Sequence, residues 1–406
     1  MVNTSSKQTQ LHDLAPGVQV REIVEARSPE RVAELLKHAM AAQSSVVPFG
    51  GKHSLATGHR SDPAQYGLDL TGLRGLIAYE PADLTMSVWA GTTMAEIQAE
   101  LGASGQELPL DVPYPDSTTI GGLVATGFAG PRRLRSGSLR DLLIGCAFVR
   151  GDGMTAKAGG MVVKNVSGFE IPRFLHGSWG ALAVLTSVNL KVTPRPRADG
   201  SVIASFPDLS SAAEACLALI AAEPAVESCV ALRGGHGVAV ASRAVGRAAA
   251  VKETLASFAN ALGDAREFLD GDSSIGFWKE LVERFSEAPQ TLAMAIGARP
   301  RDVVALAAGV DALVTNIEGA ELMVSPGLGT IRVATPLAEL DAGKFVRELA
   351  SLAIEHGATY VLESAPPALR SIVPPWGSSP DGLELMQSVK REFDPAAILN
   401  PGRLFI

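Results

Sequence analysis

Two glycine-rich turns constrain this chain more than any other feature: Pro48-Phe49-Gly50-Gly51-Lys52-His53-Ser54 and Asp116-Ser117-Thr118-Thr119-Ile120-Gly121-Gly122. Each follows a segment that reads as extended. Each also supplies consecutive main-chain N–H groups unhindered by side chains, the local chemistry that wraps a pyrophosphate. Neither has the Gly-x-Gly-x-x-Gly spacing of a Rossmann unit, and neither ends in the Gly-Lys-Ser/Thr of a P-loop, so Lys52 is not a P-loop lysine. One such turn alone is better explained by tight-turn geometry. The pair, with the tract that follows it, points to a dinucleotide.

That tract is long, apolar and rich in glycine. Thr119-Ile120-Gly121-Gly122-Leu123-Val124-Ala125-Thr126-Gly127 reads as a capped helix start, where hydroxyls and free N–H groups meet an anion. Ser136-Gly137-Ser138-Leu139-Arg140-Asp141, Lys164-Asn165-Val166-Ser167-Gly168-Phe169-Glu170 and Gly177-Ser178-Trp179-Gly180-Ala181-Leu182-Ala183-Val184-Leu185-Thr186 follow. So many blocks in succession exceed what turn-making alone requires.

At these residues the chain resembles the FAD-linked oxidases of the vanillyl-alcohol oxidase superfamily, which share a PCMH-type flavin domain. Pro48 to Ser54 is similar to the family's Pro-x-Gly-Gly-Gly-Thr-Ser loop, Ser117 to Gly122 to its Ser-Thr-x-Gly-Gly segment, and Gly177 to Thr186 to its Gly-Ser-x-Gly-x-Leu-Gly-x-x-Thr stretch. Within the superfamily, Gly130-Pro131-Arg132-Arg133, Lys164 to Phe169, Phe393-Asp394-Pro395 and Asn400-Pro401-Gly402-Arg403 look most like the FAD-binding E subunits of bacterial glycolate oxidases. The likeness is dense over 20–197 and returns in roughly the last thirty residues.

The resemblance implies an α+β chain: an N-terminal extension over 1–19, a two-part PCMH-type FAD-binding domain over 20–197, an α+β ferredoxin-like cap or substrate domain over 198–370, and a segment over 371–406 that packs back on the FAD domain. It implies FAD as cofactor. Main-chain donors at Gly50, Gly51, Lys52, His53 and Ser54 would hold one side of the diphosphate, with Asp116, Ser117, Thr118, Thr119, Thr126, Gly127, Phe128 and Ala129 on the other. Gly180, Leu182, Val184 and Leu185 would reach the adenosine through backbone groups, and Pro48, Phe49, Pro113, Gly121 and Gly122 complete the set. It also implies partners, a catalytic flavoprotein subunit and an iron–sulfur subunit, and a small hydroxy acid as substrate.

His53 falls where the family usually has Thr and where some relatives carry a histidine covalently joined to the flavin 8α-methyl carbon. Among seven histidines only this one is placed for such a link. The alternative is a hydrogen-bonding loop histidine. Lys52, in place of the family's third glycine, bears on the loop's geometry and adds a cation that disfavours protonated His53. His59 reads as a surface loop residue.

The local patterns agree with this organisation. Ser28-Pro29-Glu30 opens a helix with Val32, Leu35, Leu36 and Ala39 at helical spacing, and Ser44 to Phe49 runs as a strand into the first turn. Leu76 to Ala90 reads as a hairpin about Pro81-Ala82-Asp83. Thr93 and Glu96 have capping-box spacing ahead of Met94, Ile97 and Leu101, and Met94 and Trp89 read as core. Val184 to Val192 is strand-like and ends at Pro194-Arg195-Pro196-Arg197, the expected domain boundary. Beyond it, strands at Ser201–Phe206, Cys229–Leu232 and Val238–Ala241, a helix at Leu209–Ala222 and a long helix after Arg243 follow the order of a split, ferredoxin-like unit. A second set, with strands near Thr291–Ile296, Glu321–Val324 and Thr330–Val333 and helices near Arg301–Thr315 and Ala338–His356, would complete one antiparallel sheet covering the flavin. Leu383 to Phe393 would be the helix of the returning segment.

Composition excludes some partners. The net charge of −8 gives no electrostatic case for nucleic acid or an anionic membrane. Arg132-Arg133-Leu134-Arg135 is the local exception and reads as a solvated loop ahead of a subunit or anion contact. Cys146, Cys216 and Cys229 are odd in number and lack metal or redox spacing, so no disulfide framework, metal site or iron–sulfur cluster is expected. The polar start has no signal-peptide core and no stretch is long and apolar enough to span a bilayer. The expected location is cytoplasmic, with partner subunits able to hold the chain at the inner face of the membrane.

Catalytic residues stay unknown at this level. Oxidising a 2-hydroxy acid needs a cation for the carboxylate and a general base near the hydroxyl. The family's catalytic members resemble each other in a late His-x-Gly-Asp-Gly-Asn segment, which this chain lacks. Arg233, His236, Arg332 and Glu363 are the remaining candidates, and no mutual spacing defines a constellation. Three readings compete: an FAD-carrying subunit of a glycolate oxidase type complex, a free-standing FAD-dependent dehydrogenase or oxidase of a small hydroxy acid or alcohol, and a structural subunit without flavin.

Overall fold

The computed structural model describes residues 11–58, 62–161, 170–263, 265–286, 291–336, 341–366 and 368–405. The first ten residues, His59 and Lys164 to Phe169 lie outside them.

Helix Pro29–Ala41 starts where Ser28 Oγ accepts a bond from Arg31 N, and it buries Val32, Ala33, Leu35, Leu36 and Ala39. It delivers the strand Val46–Phe49 to a four-stranded sheet ordered His12–Ala15, Val18–Glu25, Ala64–Asp69, Val46–Phe49, the last three parallel. The first glycine turn therefore leaves the carboxyl end of a parallel strand, where open sheets with parallel strands receive ligands. The hairpin Leu76–Glu80 and Thr85–Trp89 turns at Pro81–Asp83 and joins Ala183–Lys191, Leu143–Arg150 and Thr155–Gly159 in a five-stranded antiparallel sheet. Thr93 and Glu96 form the reciprocal cap of helix Met94–Gly102. Met94, Ile97 and Leu101 pack with Ile120, Val124 and Val188 in the core between this sheet and its helices, while Trp89 is half-buried against the separate core around Leu36 and Leu68.

Past Pro196 the chain enters an eight-stranded antiparallel sheet with two mirrored halves. The first orders its strands Ala265–Asp270, Ala198–Phe206, Gly237–Gly246, Ser228–Gly234; the second, Glu321–Ser325, Thr330–Pro336, Thr291–Gly297, Thr359–Ser364. Each half is a βαββαβ unit, and the two meet where Ala231 pairs with Val324 at the centre. Helices Leu209–Ala222, Ala248–Leu262, Val303–Val314 and Ala342–Glu355 bury their apolar stripes against one face, in a core built around Phe258, Leu306, Leu349 and Phe345. The sequence reading missed strands Ala265–Asp270 and Thr359–Ser364 and helix Gly271–Arg284. That helix opens Gly-Asp-Ser-Ser, which reads as a turn. Tertiary packing wins: Trp278, Leu281 and Phe285 seal the opposite sheet face against Val230, Met323 and Ala334, and Trp278 Nε1 donates to Ser201 Oγ at 2.8 Å.

Two buried arginines tie this sheet to the N-terminal half. Arg132 reaches Glu107 and Glu227 at 2.7 and 2.8 Å, and Arg243 reaches Asp111 at 3.0 Å as well as Asp199. The solvated loop expected at Arg132 to Arg135 is thus corrected at its first residue. Only 7% exposed, Arg132 is paid for by two carboxylates, which is what a buried guanidinium requires. The final segment then returns. Helix Leu383–Phe393 carries buried Lys390, whose ammonium donates to Ala181 O, Leu399 O and Asp394, while Leu399 bridges in parallel to Val46.

Candidate functional site

A cleft of about 1010 Å³, its open mouth included, runs between the first turn, helix Ile120–Thr126 and the start of strand Ala183–Lys191. Pro48 through Ser54 line it, with Pro113, Thr118, Thr119, Gly121, Gly122, Thr126, Phe128, Gly180, Val184 and Leu185.

The glycines of the first turn are there because the two turns touch. A Cβ at Gly50 would stand 2.3 Å from Thr119 Oγ1, and one at Gly51 would stand 2.1 Å from the carbonyl oxygen of Ser117. Among the described residues, no main-chain N–H from Gly50 to Ser54 donates within the protein. A row of unspent donors beside a cleft fits a diphosphate. The second turn differs. Ser117 N and Thr118 N donate to Tyr114 O, Ile120 N to Thr92 O and Gly121 N to Ala90 O. Its amides hold the turn itself together and press its side chains against the first.

Lys52 takes the left-handed conformation that favours glycine, with φ of 66°, and its ammonium lies 4.9 Å from the centre of the Phe49 ring. His53 is held on two sides: Nε2 meets Ser117 Oγ at 2.7 Å and the ring stacks on Tyr114 at 5.0 Å. Ser117 Oγ also lies 3.3 Å from Tyr114 O, so His53, Ser117 and Tyr114 form one local cluster. Burial holds the His53 imidazole below its usual range.

Five expected residues stand outside the lining. Asp116 is exposed, and Ser117 is exposed against the first turn without lining the cleft; Leu182 is core; Gly127 ends its helix with φ of 70° against His176; Ala129 faces a smaller cavity beneath the cap. Conversely, Leu55, Leu70, Ser178, Trp179, Asn400 and Arg403 line the cleft without having been singled out for it. Asn400 Nδ2 donates to Trp179 O at 2.8 Å and Arg403 Nη1 to Leu55 O at 2.6 Å, so the tail fastens both walls. Asn400-Pro401-Gly402-Arg403 was the available signal.

From the cap, Arg332 and Glu363 face this end of the N-terminal half. The guanidinium lies 5.3 Å from the Phe128 ring centre and pairs with Glu363 at 2.8 Å, while Thr57 Oγ1 bonds Glu363 O at 2.9 Å. Burial raises the Glu363 carboxyl above its usual value, against the lowering effect of Arg332. Arg233 points the other way, into a pair with Asp311 on a helix of the far face, and His236 is exposed in a hairpin turn. The structure brings together one half of the candidate set and separates the other.

Residues 20–169 match the FAD binding domain family, and residues 375–404 match the C-terminal domain of FAD linked oxidases. Glycolate oxidase subunit GlcE of Escherichia coli (strain K12) is 30% identical over 354 residues, 83% of this chain and 87% of that protein. The chain belongs to the FAD-linked oxidases. A D-lactate dehydrogenase of Anaerostipes hadrus is 29% identical over 198 residues, which span 49% of this chain and 41% of that one. Among solved structures, an alkyldihydroxyacetonephosphate synthase superposes with a TM-score of 0.70 over 93% of this chain and 76% of the other at 15% identity, a likeness of fold. This FAD-linked oxidase is an α+β protein of the PCMH type and an FAD-dependent oxidoreductase acting on CH–OH groups, with FAD as its cofactor. Among its described residues no helix is long and apolar enough to cross a membrane.

Proposed function

We propose that this chain is the FAD-carrying subunit of a multi-subunit oxidase of glycolate or a similar small 2-hydroxy acid, working beside a catalytic flavoprotein subunit and an iron–sulfur subunit that hold it at the inner face of the membrane. The observation that carries the reading is the Arg332–Glu363 pair. The cation and carboxylate that the cap turns toward the N-terminal half are spent on each other, so neither is free to clamp a substrate carboxylate or take its hydroxyl proton. His53, the histidine lining the cleft, is likewise committed to Ser117 and Tyr114. The name of the Escherichia coli relative, a subunit of an oxidase, supports the same reading.

Bound FAD supplies the two-electron redox centre. The amides of Gly50 to Ser54 would hold its diphosphate, Trp179, Asn400 and Arg403 would close the cleft, and the cap would keep water from the reactive ring. His53 would serve as a hydrogen-bonding wall residue rather than as a covalent anchor. The purified chain is expected to be yellow, absorbing near ~450 nm as oxidised flavins do, and to stay yellow with glycolate or lactate until partner subunits are added. Precipitation with acid should leave the colour in the supernatant. Bleaching of the chain alone would make it a free-standing dehydrogenase, a colourless protein that takes up no FAD would make it a structural subunit, and a yellow pellet would make His53 an anchor.

A further inference from the structure

Beside the flavin cleft, and sharing Thr126 and Trp179 with it, lies a second cleft of about 1000 Å³ that is open to solvent. Arg133 and Arg140 line it from two short helices, and His176 from the turn after a third. Neither arginine has an ion-pair partner among the described residues. Buried His176 Nε2 also has no hydrogen-bond partner, and the ring is set against Gly127, whose added Cβ would lie 3.1 Å from Cε1. The one carboxylate among the described lining residues, Asp141, is engaged by the main-chain N–H and the hydroxyl of Ser138, both at 2.9 Å. Next to it Arg173 is paired with Glu170 at 2.9 Å. On a chain of net charge −8 this is a local excess of positive charge, with an unsatisfied ring nitrogen shielded behind it.

We propose that this cleft is a binding site for a small oxyanion, a phosphate or carboxylate group, that Arg133 and Arg140 neutralise and whose charge the neighbouring His176 ring senses. The site is separate from the one that would hold the flavin diphosphate and does not rest on the assignment of the oxidase's partners. Without an anion, burial and then the charges of Arg140 and Arg133 hold the His176 imidazole below its usual value, with Asp141 opposing them. An oxyanion between the arginines reverses their influence, so its binding must strengthen as the pH falls through the histidine's range.

The test uses the FAD-loaded protein, in which the diphosphate site is filled. The imidazole resonance of His176, assigned by its loss in His176→Gln, is titrated with pH in chloride, in inorganic phosphate and in oxalate at equal ionic strength. At least one of the two oxyanions is expected to raise the midpoint by about one pH unit or more, the shift an opposite charge within a few ångströms produces. Phosphate alone, oxalate alone or both acting identifies the class of anion. In Arg133→Gln/Arg140→Gln the anion-dependent part should vanish, and Arg140→Lys should restore most of it. No shift with either anion overturns the proposal on the wild-type protein alone, as does a shift that survives loss of both arginines.

Discussion

The turn Gly50–Ser54 and the cap strands that face it dispose of their polar groups in opposite ways. The turn leaves consecutive amides without acceptors at the wall of a cleft, while the cap presents Arg332 and Glu363 already joined at 2.8 Å. Unspent donors are costly when buried, on the order of 1–3 kcal/mol each, so a fold keeps them only where a ligand or water completes them. A closed ion pair needs nothing further. One region is built to receive, and the other is built to cover.

That contrast breaks most visibly at Gly51. In Gly51→Ala the new methyl meets the carbonyl oxygen of Ser117, a backbone atom with no rotamer to yield, so the two turns must part and the amide row loses its geometry. The protein is expected to purify without flavin, and its affinity for added FAD should fall about 100-fold or more, some 2.7 kcal/mol. Flavin absorbance per mole of protein, followed by fluorescence titration of the stripped protein, measures this. A variant that retains its flavin would mean that the turns are not what shapes the site.

The cap side is tested by Arg332→Gln, with a smaller effect. Glu363 has a folded-state pKa already raised by burial, so its contribution to stability is fully present below the ordinary carboxylate range and is lost as the pH rises through the raised value. Removing Arg332, whose charge lowers that value, carries it higher still. The variant should therefore be about 1–2 kcal/mol less stable than the parent at pH 8, and the deficit should shrink toward pH 5 as Glu363 takes up a proton. Urea midpoints of both proteins at the two pH values show it. Equal deficits would mean that Glu363 is not held as an anion by Arg332.

Much of this architecture was legible because its determinants are local. Ser28, Thr93 and Thr119 announce their helices through a capping side chain, Pro81 to Asp83 turn their hairpin, and the βαββαβ order recurs in both halves of the cap sheet. The misses are the places where distant residues decide. Helix Gly271–Arg284 opens with poor helix formers and is held by a sheet face assembled from both cap halves. Burial of Arg132 depends on Glu107 and Glu227, far apart in the chain, and no pattern around Arg132 shows them. The cleft followed the same rule. Its glycine turns were visible, but the placing of Trp179, Asn400 and Arg403 on the cleft comes from the docking of the tail, and Ser117 spends its own amide on Tyr114 O and its hydroxyl on His53 rather than lining the cleft.

Lys52 offers the finest measure of what the receiving turn demands. Its φ of 66° is a conformation that costs an ordinary residue about 1 kcal/mol or more, and the contact of its ammonium with Phe49 at 4.9 Å returns about 0.5 kcal/mol at an exposed position. Lys52→Gly relieves the first and forfeits the second, so the flavin-free protein should gain roughly 0.5 kcal/mol in urea unfolding. The same change removes a cation from beside the amide row, where an anionic diphosphate would gain from it, and affinity for FAD should fall by about two- to fivefold. Stability and affinity moving in opposite directions would show that a strained lysine is kept there for its charge. If both rose together, glycine would be the better residue on every count, and the amides alone would account for the turn's hold on the ligand.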